Sequence, residues 1–184
     1  MWRTGYYRLR QFWNGWFAAI DPVELRAALA YLPSAAQARF QTLPIDAQRH
    51  SLNVLQSLQR RGAVPADLAD DLAVAALLHD IGKLAADEAG LRINLWVRGP
   101  LVLVEKVAPA LLQRWASAEA TQGWRYLLYV HLMHPAIGAQ WATAWGCTPL
   151  TCWLIEHHQD QLTGAPSNEA ERLLILLQWA DSLN

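Results

Sequence analysis

The stretch Ala76-Leu77-Leu78-His79-Asp80-Ile81-Gly82-Lys83 decides how this chain is read. An apolar run ends on an imidazole and a carboxylate side by side, followed by a glycine and one of only two lysines in the sequence. Leu72, Ala75, Ala76 and Leu78 before it predict a helix buried on most sides, opening at Pro65-Ala66-Asp67 and closing near His79-Asp80-Ile81-Gly82. Adjacent residues on a regular helix diverge by about 100°. Two neighbouring side chains can therefore serve one point only where the helix runs out, at the edge of a pocket, or when each serves a different ion.

Helical signals continue in both directions. Asp21-Pro22 starts a helix over roughly 22–31, with Asp21 as N-cap and Pro22 in the tolerated first position. Pro44-Ile45-Asp46 opens another that runs to about Arg61 and stops at Gly62. A helix from Gly99-Pro100 is expected to bend or break at Pro109, and two more cover about 123–132 and 135–145. Pro149 starts one that ends near His158. The last has Asn168 as cap and Glu171 at its third position. No strand-like alternation, internal repeat or low-complexity linker interrupts this pattern. The expected fold is all-α, a single helical bundle over 46–184, with an aromatic-rich helical extension over 1–45 packing on it.

Composition sets the bounds. The chain has 184 residues, 53% hydrophobic and 17% charged, which argues against disorder. Alanine and leucine make up about a third of it, as in helical proteins. A net charge of -1 argues against a protein that coats nucleic acid, although a few placed cations can still hold one small anion. Cys147 and Cys152 are too few for a disulfide framework and suit a reducing cytoplasm. No signal peptide follows Arg3, Arg8 and Arg10. The longest apolar stretch, Leu101 to Leu112, is broken by Glu105, Lys106 and Pro109 and is too short to span a bilayer. The expected location is cytoplasmic.

The six histidines are the chemically informative residues. His157 and His158 are adjacent where an apolar helix ends, as His79 and Asp80 are. Asp46 and His50 lie four apart on one helix and share a face. Asp181 follows Leu173, Leu174, Leu176, Leu177 and Trp179, and is either a solvated helix end or an inward-facing ligand.

In order, His50, His79-Asp80, His134, His157-His158 and Asp181 resemble the HD-domain superfamily of metal-dependent phosphohydrolases. The stretch 76–83 is similar to the HDIG segment of that superfamily. His134-Pro135-Ala136-Ile137-Gly138, Ile155-Glu156-His157-His158 and Ala180-Asp181-Ser182-Leu183 resemble segments of its HD-GYP branch. The resemblance implies an all-α core around two divalent transition-metal ions (Mn, Fe, Co, Ni or Zn). His50, His79, Asp80 and Asp181 would hold one ion. Asp80 would bridge to a second, held by His134, His157 and His158. Asp46 occupies the position from which some members hold a third ion. His131 has no counterpart in this set.

Mixed imidazole and carboxylate donors suit transition metals. Two such ions acidify a bridging water to hydroxide and neutralise phosphoryl oxygens during displacement. Asp80 and Lys83 are the candidate catalytic residues, Lys83 as a point charge on phosphate or else a solvated residue at a helix end. The expected reaction is hydrolysis of a phosphate ester of a nucleotide or related small phosphate. A catalytically silent sensor or assembly module and a di-iron oxygenase are the rival readings. After His158 the chain reads Gln159-Asp160-Gln161-Leu162-Thr163-Gly164-Ala165-Pro166, where the HD-GYP branch has Glu, an Asp-Gly pair and Gly-Tyr-Pro; this speaks against cyclic dinucleotide hydrolysis.

Two further segments remain open to several uses. Residues 91–116 can cover the site, pack as core or meet a partner, with Arg92, Arg98 and Arg125 as candidate anion contacts. Trp2, Tyr6, Tyr7, Phe12, Trp13, Trp16 and Phe17, interleaved with arginines, can brace the core, lie at a membrane or protein surface, or stack on single-stranded nucleic acid.

Overall fold

The computed structural model describes residues 20–62, 64–65, 67–91 and 109–184, and among them all regular structure is helical. The aromatic N-terminal stretch to residue 19, Arg92, Arg98 and most of 91–116 lie outside the described residues. None of the described helices is long and apolar enough to cross a membrane.

Helix α1 (Pro22–Leu29) begins as expected: the Asp21 carboxylate accepts the Val23 N–H at 2.8 Å. Helix α2 (Ser34–Phe40) follows, then α3 (Ile45–Arg61), which ends at Gly62 in the left-handed conformation (φ 65°). Helix α4 (Ala69–Leu78) starts later than its Pro65-Ala66-Asp67 signal, because Pro65 accepts the Leu68 N–H and closes a turn first. Every residue of α4 from Leu72 to Leu78 is buried, making it the central helix. At roughly 1.5–3 kcal/mol for each large apolar side chain removed from water, it is the main anchor of the core. A 3-10 turn (Ile81–Lys83) and short α5 (Leu84–Glu88) follow it.

Helix α6 (Pro109–Trp115) has its first described residue at the proline where the sequence predicts a bend or break; the expected helix from Gly99-Pro100 up to that point lies outside the described residues. Helix α7 (Trp124–Ala144) corrects the sequence reading. It runs unbroken through Pro135, where two helices were expected. Helices α8 (Pro149–His157) and α9 (Glu169–Leu183) complete the bundle. The Asn168 side chain caps α9 by accepting the Glu171 N–H at 2.9 Å, while the Glu171 carboxylate reaches back to Ser167 rather than to Asn168 itself.

One buried cluster joins α1 to α4 with α7, α8 and α9, through Phe40, Leu52, Leu77, Leu78, Leu154 and Leu174 among others. The described part of the expected N-terminal extension thus shares one core with the bundle over 46–184. Asp71, in the first turn of α4, accepts from the hydroxyls of Thr148 and Thr151 and ties the start of α8 to the central helix.

Two glycines set the spacing that matters most. A Cβ on Gly82 would stand 2.1 Å from the His134 carbonyl oxygen and 2.8 Å from the Gly138 nitrogen. A Cβ on Gly138 would meet Ile155 at 3.2 Å and Ile81 at 3.3 Å. The 3-10 turn therefore lies backbone against backbone on α7, which sets Asp80 beside His134.

Candidate metal centre

Asp80 stands between two groups of donors. His50, His79 and Asp181 form one; Asp80, His134 and His158 form the other, with the donor atoms of each group within 4.8 Å of one another. The His134 Nε2 and His158 Nε2 lie 3.3 and 3.7 Å from Asp80 Oδ1, and His79 Nε2 lies 3.8 Å from Asp80 Oδ2. His79 and Asp80 reach the same point despite being adjacent because α4 stops between them: Asp80 (φ -100°, ψ 2°) has left the helix.

The three buried histidines are aimed by the same device. Each donates its Nδ1–H to the carbonyl three residues earlier: His79 to Ala76 at 3.0 Å, His134 to His131 at 2.8 Å and His158 to Ile155 at 2.7 Å. Ala76 and Ile155 sit in the last turns of α4 and α8, where carbonyls lose their partners. The His131 carbonyl is freed mid-helix because Pro135, four residues on, has no N–H to give it. Pro135 thus creates the acceptor, and the His134 ring fills it, which is why α7 continues. It also gives His131 a role through its backbone.

A carbonyl can only accept, so the Nδ1 of each ring carries the proton and a neutral ring presents a bare Nε2 to the centre. Three acceptors then face one another around His134 Nε2, His158 Nε2 and Asp80 Oδ1. His158 Nε2 is buried with no hydrogen-bond partner, a costly arrangement without a cation. Donor atoms around one ion with bonds of about 2.0–2.1 Å stand roughly 3 Å apart. The residues therefore fit a divalent transition metal.

Charge within the centre follows burial and its exceptions. Burial pushes His79 and His134 down to about 4, against the pull of the Asp80 carboxylate. Burial is the largest influence on Asp80 and acts to raise it, but the Lys83 ammonium 2.6 Å from Oδ2, together with His79, His134 and His158, holds the carboxyl well below the usual range. His50 goes the other way: burial is the largest influence and would lower it, yet Asp181, 3.0 Å from Nε2, and the Asp80 charge together raise it above the ordinary imidazole value. The same pairing depresses Asp181 against its own burial.

Not every predicted residue joins. His157 does not enter either group: its Nδ1 is 2.6 Å from Asp160 Oδ2 and its ring packs on Trp153 with centroids 4.6 Å apart. As the last residue of α8 it keeps helical geometry and points about a quarter-turn from His158. Asp46 is exposed and in neither group. Arg125 donates to the Trp115 carbonyl at 2.8 Å, a structural use. Lys83 is near the centre as expected, but its ammonium rests on Asp80. Gln159 stands out in the sequence only as a departure from a motif; its amide reaches His134 Nε2 at 3.3 Å. Gln178, with no signal of its own, donates to the His158 and Asp160 carbonyls at 3.1 and 2.7 Å and holds the turn that carries them. Cys147 and Cys152 are free, and burial raises the Cys147 thiol to about 11, far from a nucleophile at neutral pH.

A helical bundle that gathers four histidines and two aspartates from α3, α4, the adjoining turn, α7, α8 and α9 is a candidate metal-binding domain. The chain belongs to the HD-domain family, whose sequence model matches residues 48–184. Members of that family are mostly metal-dependent hydrolases. No curated protein and no solved structure matches the chain.

Proposed function

We propose that this chain hydrolyses a phosphate ester of a nucleotide or related small phosphate at a centre of two divalent transition-metal ions. The observation that carries this reading is Asp80, whose Oδ2 faces His79 while its Oδ1 faces His134 and His158. His50, His79, Asp80 and Asp181 would hold one ion, and Asp80, His134 and His158 the other. When bound, such ions supply an acidified water and neutralise charge on phosphoryl oxygens.

The chain's own residues prepare for this. His79 and His134, pushed down to about 4 by burial, keep their Nε2 atoms available as ligands at pH 7. Lys83 is the one described lysine, its side chain 36% exposed, and beside Asp80 it is placed to turn its ammonium to a substrate phosphate. The two free thiols suit a reducing, cytoplasmic setting.

The test is elemental analysis of protein purified without chelator, with Mn-supplemented assays on an aryl phosphomonoester and a phosphodiester. Two metals per chain with turnover is the expected result. Two irons without phosphate release would transfer the reading to a di-iron oxygenase. One metal or none after reconstitution would make the chain a silent sensor or assembly module.

A further inference from the structure

Beside the centre, across Gln159, an open cavity of about 300 Å³ lies between the middle of α7 and the end of α8. That is the small end of the range for sites that take small molecules. Its α7 wall is apolar, made by Leu132, Pro135 and Ala136. Its α8 wall carries Glu156, the His157 ring and Asp160. Gln159 belongs to both places, since it lines the cavity while its amide touches His134 Nε2. Pro135 and His157 also adjoin the ligand candidates His134 and His158 directly in the chain. The cavity thus shares Gln159 with the centre on its His134 side.

No lysine or arginine lines it among the described residues, and two of its polar groups are carboxylates. Such a wall accepts hydrogen bonds from hydroxyl or ammonium groups and repels phosphate, while the apolar wall covers a carbon skeleton. The cationic side chain near the centre, Lys83, is engaged with Asp80.

We infer that this cavity is the leaving-group subsite, and that it selects monophosphates of neutral or cationic alcohols bearing hydroxyl or amino donors over esters with a second phosphate. The inference rests on the hydrolase reading and names its substrate class. In the reaction, water adds to phosphorus and the ester P–O bond breaks. The leaving oxygen takes the bond's electron pair and the proton that water gives up, yielding the free alcohol and inorganic phosphate. Glu156 and Asp160 accept hydrogen bonds from the alcohol part, and the Gln159 amide lies between that part and the phosphoryl group. Gln159 is a specificity-determining residue in this arrangement. A glutamate there would bring a third carboxylate to the cavity.

Two measurements test it. The first is kcat/KM of the metal-loaded full chain for an amino-alcohol monophosphate and for a bisphosphate of similar size, repeated with Glu156→Lys and Glu156→Gln. The monophosphate should be preferred tenfold or more, and the preference should shrink severalfold in Glu156→Gln and further in Glu156→Lys. The second is NMR titration of the metal-free chain with the free amino alcohol, where shifts at Leu132, Ala136 and Gln159 are expected and should weaken in Glu156→Lys. Equal or better turnover of the bisphosphate, or a preference that Glu156→Lys leaves unmoved, overturns the inference and leaves the hydrolase reading standing. Absence of shifts at those three residues overturns it as well. A metal-loaded chain that releases phosphate from no ester overturns both.

Discussion

The two halves of the centre use the same residue types and hold them differently. In the half built from His134, His158 and Asp80, both imidazoles are essentially buried and both are locked by an Nδ1–H to a backbone carbonyl. In the other half, His50 and Asp181 are 26% and 38% exposed and depend on each other, with His79 the buried, locked member. A proton on His50 Nε2 can be shared with Asp181 at 3.0 Å and His79 at 3.2 Å, so this half already has a small cation to hold it together. In the buried half Lys83 rests on the outer oxygen of Asp80 and the Gln159 amide on His134 Nε2, while His158 Nε2 has no partner. One half is therefore fixed and waits for a cation, while the other closes on a proton that a metal must displace.

The largest expected effect comes from the residue the halves share. Asp80→Ala should remove both metals and all phosphate release, since each oxygen faces a different half. Retention of two full metal equivalents by elemental analysis would show that the halves are independent. Gly82→Ala comes next. Its Cβ would collide with the backbone of α7, so the turn must part from the helix. We expect a loss of about 1–3 kcal/mol or more in denaturant unfolding, with metal lost first from the His134 side.

Acidification separates the halves more gently. In metal-free protein, His79 and His134 titrate at about 4 when folded and near 6.5 when unfolded. Between those values the unfolded chain binds more protons, so stability falls as pH drops, by up to about 1.4 kcal/mol per pH unit for each ring. His50, whose value is raised, contributes in the opposite sense: its share is present below about 6.5 and lost as pH rises through its folded value. Two rings outweigh one, and urea midpoints of the chelated protein should fall from pH 6.5 to 4.5. A flat profile would mean that the buried rings are not held neutral. The smallest effect belongs to His157→Ala, for which metal content should stay at the wild-type value. Loss of one equivalent would put that ring back among the ligands.

Much of the fold and of the centre is legible in the amino-acid sequence. The caps at Asp21 and Asn168, the stop at Gly62 and the apolar run of α4 are local signals, and local signals place helices. The ordered histidines and aspartates point to a metal centre. Sequence and structure part where one side chain settles a question that the local pattern leaves open. Pro135 reads as a break unless His134 is known to satisfy the carbonyl it strands. His157 and His158 read as a matched pair, but α8 ends between them and only one turns inward. The closeness of Gln159 and Gln178 to the site depends on how the turn after α8 folds back, which no short-range pattern encodes.

The bare contact of Gly82 with α7 also orders events in time. It joins segments distant in the chain, and contacts of that kind close late in folding because the intervening loop must first be gathered in. His79, Asp80 and Lys83 come as a local set with the end of α4, whereas His134, His158 and Asp181 arrive only when α7, α8 and α9 dock. The docking that buries the central helix is therefore the same event that completes the site. Metal captured earlier would sit on half a site, with Lys83 paired to Asp80 and competing with the ion for that carboxylate.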